Sequence, residues 1–137
     1  MTMKRSEMRQ VAFQILFAWE SNSLTDSVEL YQQLQQVNKN MPSEMPAYLK
    51  LLIAGVQKNL LEINQVITEF LKQNWSLERL NKADLVIMQI AVFEIKFITE
   101  TPDKVAVNEA LELAKEFSDE KSRRFINGIL SNLIVSN

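Results

Sequence analysis

The chain has 137 residues, enough for one compact domain with a real core. Hydrophobic residues make up 47% and charged residues 23%, an ordinary balance for a globular protein. The absence of Cys and His excludes disulfides, thiol nucleophiles, the commonest metal ligand and the commonest neutral-pH general base, and 15 basic against 17 acidic residues give a net charge of −2.

Gly (2) and Pro (3) are scarce, so there is little material for tight hairpins, and apolar residues recur at helical spacing; the expected class is all-α. The first helix is predicted from about Ser6 to Glu20, with Val11, Ala12, Ile15, Leu16 and Trp19 as its apolar stripe. Lys4, Arg5 and Arg9 make a basic cluster at its start, and Arg5 and Arg9, one turn apart, are spaced to reach successive phosphates. Phe13 and Phe17 lie off the centre of the stripe, with Arg9 one turn before Phe13. They fit either stacking on unpaired bases or packing against a second helix.

A second helix is expected after Thr25 or Asp26 as N-cap, with Val28, Tyr31 and Leu34 facing inward. Asn38–Met45 reads as a loop, and Pro46 suits a first helical turn. Leu49, Leu52, Ile53, Val56, Leu60, Ile63 and Ile67 then follow a helical period, bent or broken near Lys58-Asn59. Gly55 inside it predicts close approach of a neighbouring helix, since Gly otherwise costs about 1 kcal/mol there relative to Ala. Trp75-Ser76-Leu77 looks like a connection, with Ser76 available as a cap.

The stretch from about Lys82 to Ile98 is apolar on most sides and is expected to be the central, most buried helix. It is shorter than the ~20 apolar residues of a membrane span. Thr99–Asp103, with Pro102, breaks it. Two more helices follow, split near Ser118–Glu120: Val107, Ala110, Leu111, Ala114 and Phe117 mark the first, Phe125, Ile126, Ile129, Leu130 and Leu133 the second. Asn127-Gly128 falls inside the last period, so Gly128 is expected to permit close helix contact and Asn127 to bond a neighbouring loop. Glu94, Asn108 and Glu109 are expected to be satisfied internally.

Lys121, Arg123 and Arg124 form a second basic cluster in the first turn of the last helix. Free N–H groups and the positive dipole end favour phosphate there, while cations disfavour the helix itself. If folding joins the two clusters, a protein of net charge −2 still carries a basic patch. The start MTMKRSEMRQ leads into an amphipathic pattern rather than an apolar signal core. No paired-carboxylate spacing, Gly-rich phosphate loop or repeat is present, so neither enzymatic activity nor a cofactor or metal site is expected.

VAVNEALELAK followed by RRFINGIL resembles the C-terminal part of the NusB family of bacterial transcription antitermination factors, and KRSEMRQVAFQILFAWE resembles that family's basic opening helix. The likeness runs along nearly the whole chain and is loosest around residues 21–45. It implies one all-helical RNA-binding domain over residues 1–137, with about seven helices in two packed bundles, roughly 1–75 and 76–137. It implies a cytoplasmic adaptor that joins the ribosomal protein NusE, binds single-stranded boxA RNA and supports the elongating RNA polymerase, with homodimer formation left open. The RNA surface would comprise Lys4, Arg5, Arg9, Phe13, Phe17, Lys121, Arg123 and Arg124. Asp84 matches an acidic position on the family's NusE face, and Glu78 would extend it; Gln89 stands where the family usually has arginine, and Ser6 and Glu7 dilute the opening arginine string. Two alternatives are an RNA-binding domain of the kind attached to ribosomal RNA cytosine methyltransferases and a helical protein-interaction module with no RNA role.

Overall fold

The computed structural model describes residues 2–136. Among them are seven α-helices and one short 3-10 turn: α1 (Arg5–Ser21), α2 (Ser27–Val37), α3 (Ala47–Lys58), α4 (Leu60–Glu69), the 3-10 turn Leu77–Arg79, α5 (Lys82–Phe97), α6 (Asp103–Phe117) and α7 (Glu120–Ser136). The all-α expectation holds, and most breaks fall where capping chemistry puts them. Asp26 caps α2, its carboxylate accepting from the Val28 and Glu29 N–H groups, and the Asn81 side chain caps α5 through Ala83 and Asp84. Pro46 and Pro102 stand as the N-cap residues of α3 and α6, so Pro46 lies just before the first turn rather than in it. The run from Ala47 to Glu69 breaks at Asn59, whose side-chain amide donates to the Gly55 carbonyl at 2.8 Å.

α5 is the axis of the molecule. Every residue from Asp84 to Ile95 is buried, and α1, α3, α4, α6 and α7 all pack against it. Gly55 makes room for the Phe93 ring: a Cβ there would lie 2.1 Å from its Cζ. Gln89, buried beside α4, donates to the uncharged Asn64 Oδ1 at 3.0 Å, so the residue standing in place of the family's usual arginine has an internal partner. The loop before α3 is tied down by Tyr31, whose hydroxyl donates to the Pro42 carbonyl at 2.6 Å.

Two packing expectations fail. Val28 is exposed, because α2 turns only Tyr31 fully into the core, with Leu34 half-buried. Gly128 has nothing within 4 Å of a built Cβ, so it makes no close helix contact; it lies on the outer face of α7. Asn127, also exposed, bonds within its own helix by accepting from the Ser131 hydroxyl at 3.1 Å. No helix among the described residues is long and apolar enough to cross a membrane.

Candidate nucleic-acid interface

At the start of α1, Lys4 is the N-cap residue, and its backbone N–H donates to the Glu7 carboxylate at 2.9 Å. Glu7, which thins the basic run in sequence, therefore closes the helix end and complements its dipole. Lys4 and Arg5 are exposed, and the Arg5 guanidinium lies 4.0 Å over the Tyr48 ring.

Arg9 is different. Only 3% of it is exposed; Nε donates to Glu94 at 2.9 Å, Nη2 to the second oxygen at 2.8 Å, and Nη1 lies 3.5 Å from Glu109. The expected phosphate contact at Arg9 gives way to an internal role, because its side of α1 faces α5 and α6 rather than solvent. Burial alone would lower its pKa, but hydrogen bonding and charge attraction to Glu94 more than reverse that and hold the guanidinium charged. The Tyr48 hydroxyl also donates to Glu94, and lies 3.3 Å from the Thr101 hydroxyl. Burial, reinforced by the Glu94 carboxylate, pushes the Tyr48 phenol up. The internal roles expected for Glu94 and Glu109 are thus observed, whereas Asn108 is exposed.

Phe13 and Phe17 part company. Phe13 is buried and stacked on Phe117 of α6, ring centroids 4.4 Å apart, so the helix-packing alternative holds and the ring is closed to a base. Phe17, one turn on, is 37% exposed, with the Lys82 ammonium 5.7 Å from its centroid. Lys82 also donates to the Ser21 hydroxyl at 2.8 Å.

The second basic cluster lies just past Phe117. Asp119 caps α7, its carboxylate accepting from the Ser122 N–H at 2.8 Å, and this bond holds the Asp119 carboxyl below its ordinary value. Lys121 and Arg124 are exposed and Arg123 is half-buried; both arginines lie within 4 Å of Glu120, at 3.8 and 3.9 Å. Such surface pairs are worth ~0–1 kcal/mol and exchange readily for a phosphate. Phe117, just before the second cluster, meets α1 at Phe13, about 12 Å along that helix from Arg5.

Asp84 is buried beneath the α6–α7 turn, accepting from the Ser122 hydroxyl at 2.8 Å and the Ser118 hydroxyl at 3.1 Å. Its carboxylate is occupied internally, which corrects the expectation of a free acidic contact there; Glu78 on the 3-10 turn is exposed. Between that turn and α7 runs a groove of about 690 Å³, walled by Trp75 and Phe125, with Arg79, Lys121 and Arg124 along it and Asp84 among its lining. Trp75 is 47% exposed, its ring 6.4 Å from Phe125 and 5.4 Å from the Arg79 guanidinium.

Tyr48, Trp75, Arg79 and Lys82 are not marked as candidate site residues by the sequence pattern. Trp75 and Arg79 carried a usable signal, an aromatic and an arginine four apart in a polar connection. Tyr48 and Lys82 gain meaning only from α1, which lies far from them in sequence.

Relatives of the chain point one way. It is 46% identical over 134 residues to the transcription antitermination protein NusB of Lactiplantibacillus plantarum, covering 98% of this chain and 96% of that one. It is 48% identical to the protein of the same name from Ligilactobacillus salivarius, covering 98% and 100%. Among solved structures it resembles T. maritima NusB at 30% identity with a TM-score of 0.83, covering 96% of this chain and 91% of that one. The fold also matches, at 23% identity and a TM-score of 0.83 over 97% of each chain, a structure described as antitermination factors NusB and NusE in complex with dsRNA. Residues 6–135 fit the NusB family model, and the chain belongs to the NusB family.

Proposed function

We propose that this chain is a cytoplasmic RNA-binding adaptor that pairs with NusE, holds boxA-type RNA from ribosomal RNA transcripts and keeps it close to the elongating RNA polymerase. The observation that carries the reading is a set of solvent-facing cations, Lys4, Arg5, Lys121 and Arg124, on a protein of net charge −2, with the Phe17 ring and Lys82 ammonium also exposed. Phosphate contacts from the cations supply affinity, and an open aromatic face supplies contact with a base. The exposed Glu78 and the Trp75–Phe125 groove form the surface proposed for NusE.

The relatives carry the antitermination name and are matched over 96% and 100% of their length, which favours this reading over a methyltransferase-attached domain. The similar fold solved with NusE and RNA favours it over a module without an RNA role. That structure holds double-stranded RNA, so strandedness belongs in the test. Fluorescence anisotropy with single-stranded boxA RNA, the corresponding duplex and a scrambled strand, each with and without NusE, is expected to show tightest binding to the single strand with NusE present. No binding to any RNA at low salt, with or without NusE, would reject the proposal. Sedimentation of the same samples reports whether the free protein is a monomer or a homodimer.

A further inference from the structure

We infer that Tyr48, anchored by Glu94, is a positioning residue that presents the Arg5 guanidinium to RNA, and that Arg9 supports this arrangement from beneath. The inference rests on the RNA reading above. Its basis is one chain of contacts running from core to surface. Glu109 and Glu94 hold Arg9, Glu94 also accepts from the Tyr48 hydroxyl, and the face of the Tyr48 ring carries Arg5 at 4.0 Å. Four helices meet in it: α1, α3, α5 and α6. Tyr48 is half-buried, with its hydroxyl among buried groups and its ring under an exposed arginine.

The chemistry favours ordering without neutralisation. A free arginine side chain loses rotamer freedom when it grips a ligand, and a contact that already holds it reduces that loss. A carboxylate would order Arg5 too, but would compete with phosphate for the same N–H groups. An aromatic face holds the guanidinium through its π-system and leaves the in-plane N–H edges open to fork a phosphate. Among the ion pairs of the described residues, Arg9, Arg123 and Arg124 each meet a glutamate, whereas Arg5 meets the ring. The anchoring hydroxyl fixes that ring, because Glu94 is itself fixed by three hydrogen bonds from Arg9.

A double-mutant cycle tests this with the full chain and a labelled single-stranded boxA RNA. Arg5→Ala and Tyr48→Leu are each expected to weaken binding several-fold and to reduce the dependence of affinity on salt. In the Arg5→Ala background, Tyr48→Leu should have no further effect. Tyr48→Phe, which keeps the ring and loses only the anchor, should lose less than Tyr48→Leu. A merely structural Tyr48 would lower affinity equally with and without Arg5 and leave the salt dependence alone; that additive result overturns the inference while the RNA reading stands. Arg5→Lys provides a second arm that leaves Tyr48 intact. Lysine keeps the charge without the planar stack, so a several-fold loss is expected, and affinity equal to the unaltered chain overturns the inference. Absence of RNA binding by the unaltered chain at low salt rejects the RNA reading and this inference together.

Discussion

Arg9 and Glu94, 85 residues apart in sequence, face each other beneath the surface through a two-pronged hydrogen-bonded ion pair. Removing one partner of a buried pair strands the other, at a typical cost of ~3–5 kcal/mol. Arg9→Ala should therefore lower stability by about that amount in urea denaturation followed by circular dichroism. Replacing both residues together, Arg9→Met with Glu94→Leu, should cost much less than Arg9→Ala. A loss below about 1 kcal/mol for Arg9→Ala would show that the pair is not held in a dry interior.

The two glycines should respond in opposite directions to the same substitution. At Gly55 a methyl group runs into the Phe93 ring, which is buried and backed by the core, so Gly55→Ala should destabilise by ~1–3 kcal/mol. Gly128 sits in a helix with open space around it, and Gly128→Ala should stabilise by roughly 0.5–1 kcal/mol. Thermal melts of the two variants side by side check this, and equal shifts of the same sign would refute it.

Loss of the Asp119 cap should lower the melting temperature of Asp119→Ala at pH 7. The folded-state carboxyl is held below its ordinary value by the Ser122 N–H, so its contribution is present above the unfolded-chain value and is lost as pH falls through the folded one. The difference in melting temperature between Asp119→Ala and the unaltered chain should thus shrink below about pH 4. A difference that grows on acidification would reverse the assignment.

Asp84 is expected to act as a clamp on the α6–α7 turn. Asp84→Ala leaves the Ser118 and Ser122 hydroxyls without their shared acceptor and should cost roughly 1–3 kcal/mol. Hydrogen exchange at the Ser118–Ser122 amides should accelerate far more than at α3. Unchanged protection at that turn would sink the clamp.

Local chemistry made the helices legible in the sequence. Asp26 caps the helix that follows it, Pro102 stands at the start of another, and the apolar run from Leu85 leaves no face for solvent. The site was legible only in part. Periodicity puts Arg5 and Arg9 on one side of α1, but it does not say that Glu94 waits opposite the second and a tyrosine ring opposite the first. Phe13 and Phe17 look equivalent at a spacing of four; Phe117, a hundred residues later, closes one and leaves the other open. The resemblance put Asp84 on a partner-binding face; its serine partners, on a turn 34 and 38 residues away, are invisible in its own stretch of sequence. In each case a polar or aromatic residue takes its role from a distant neighbour, and composition carries no record of that pairing.

The central position of α5 has a consequence for how the molecule is made. Synthesis proceeds from the N-terminus, and α1 can pack against α2 and α3 early, but it meets α5 and the partner of Arg9 only when residues up to about 95 have left the ribosome. Until then Arg9 on the opening helix lacks the carboxylate that neutralises it. The Glu94 anchor beneath the Tyr48 hydroxyl is therefore completed late, after most of the chain exists.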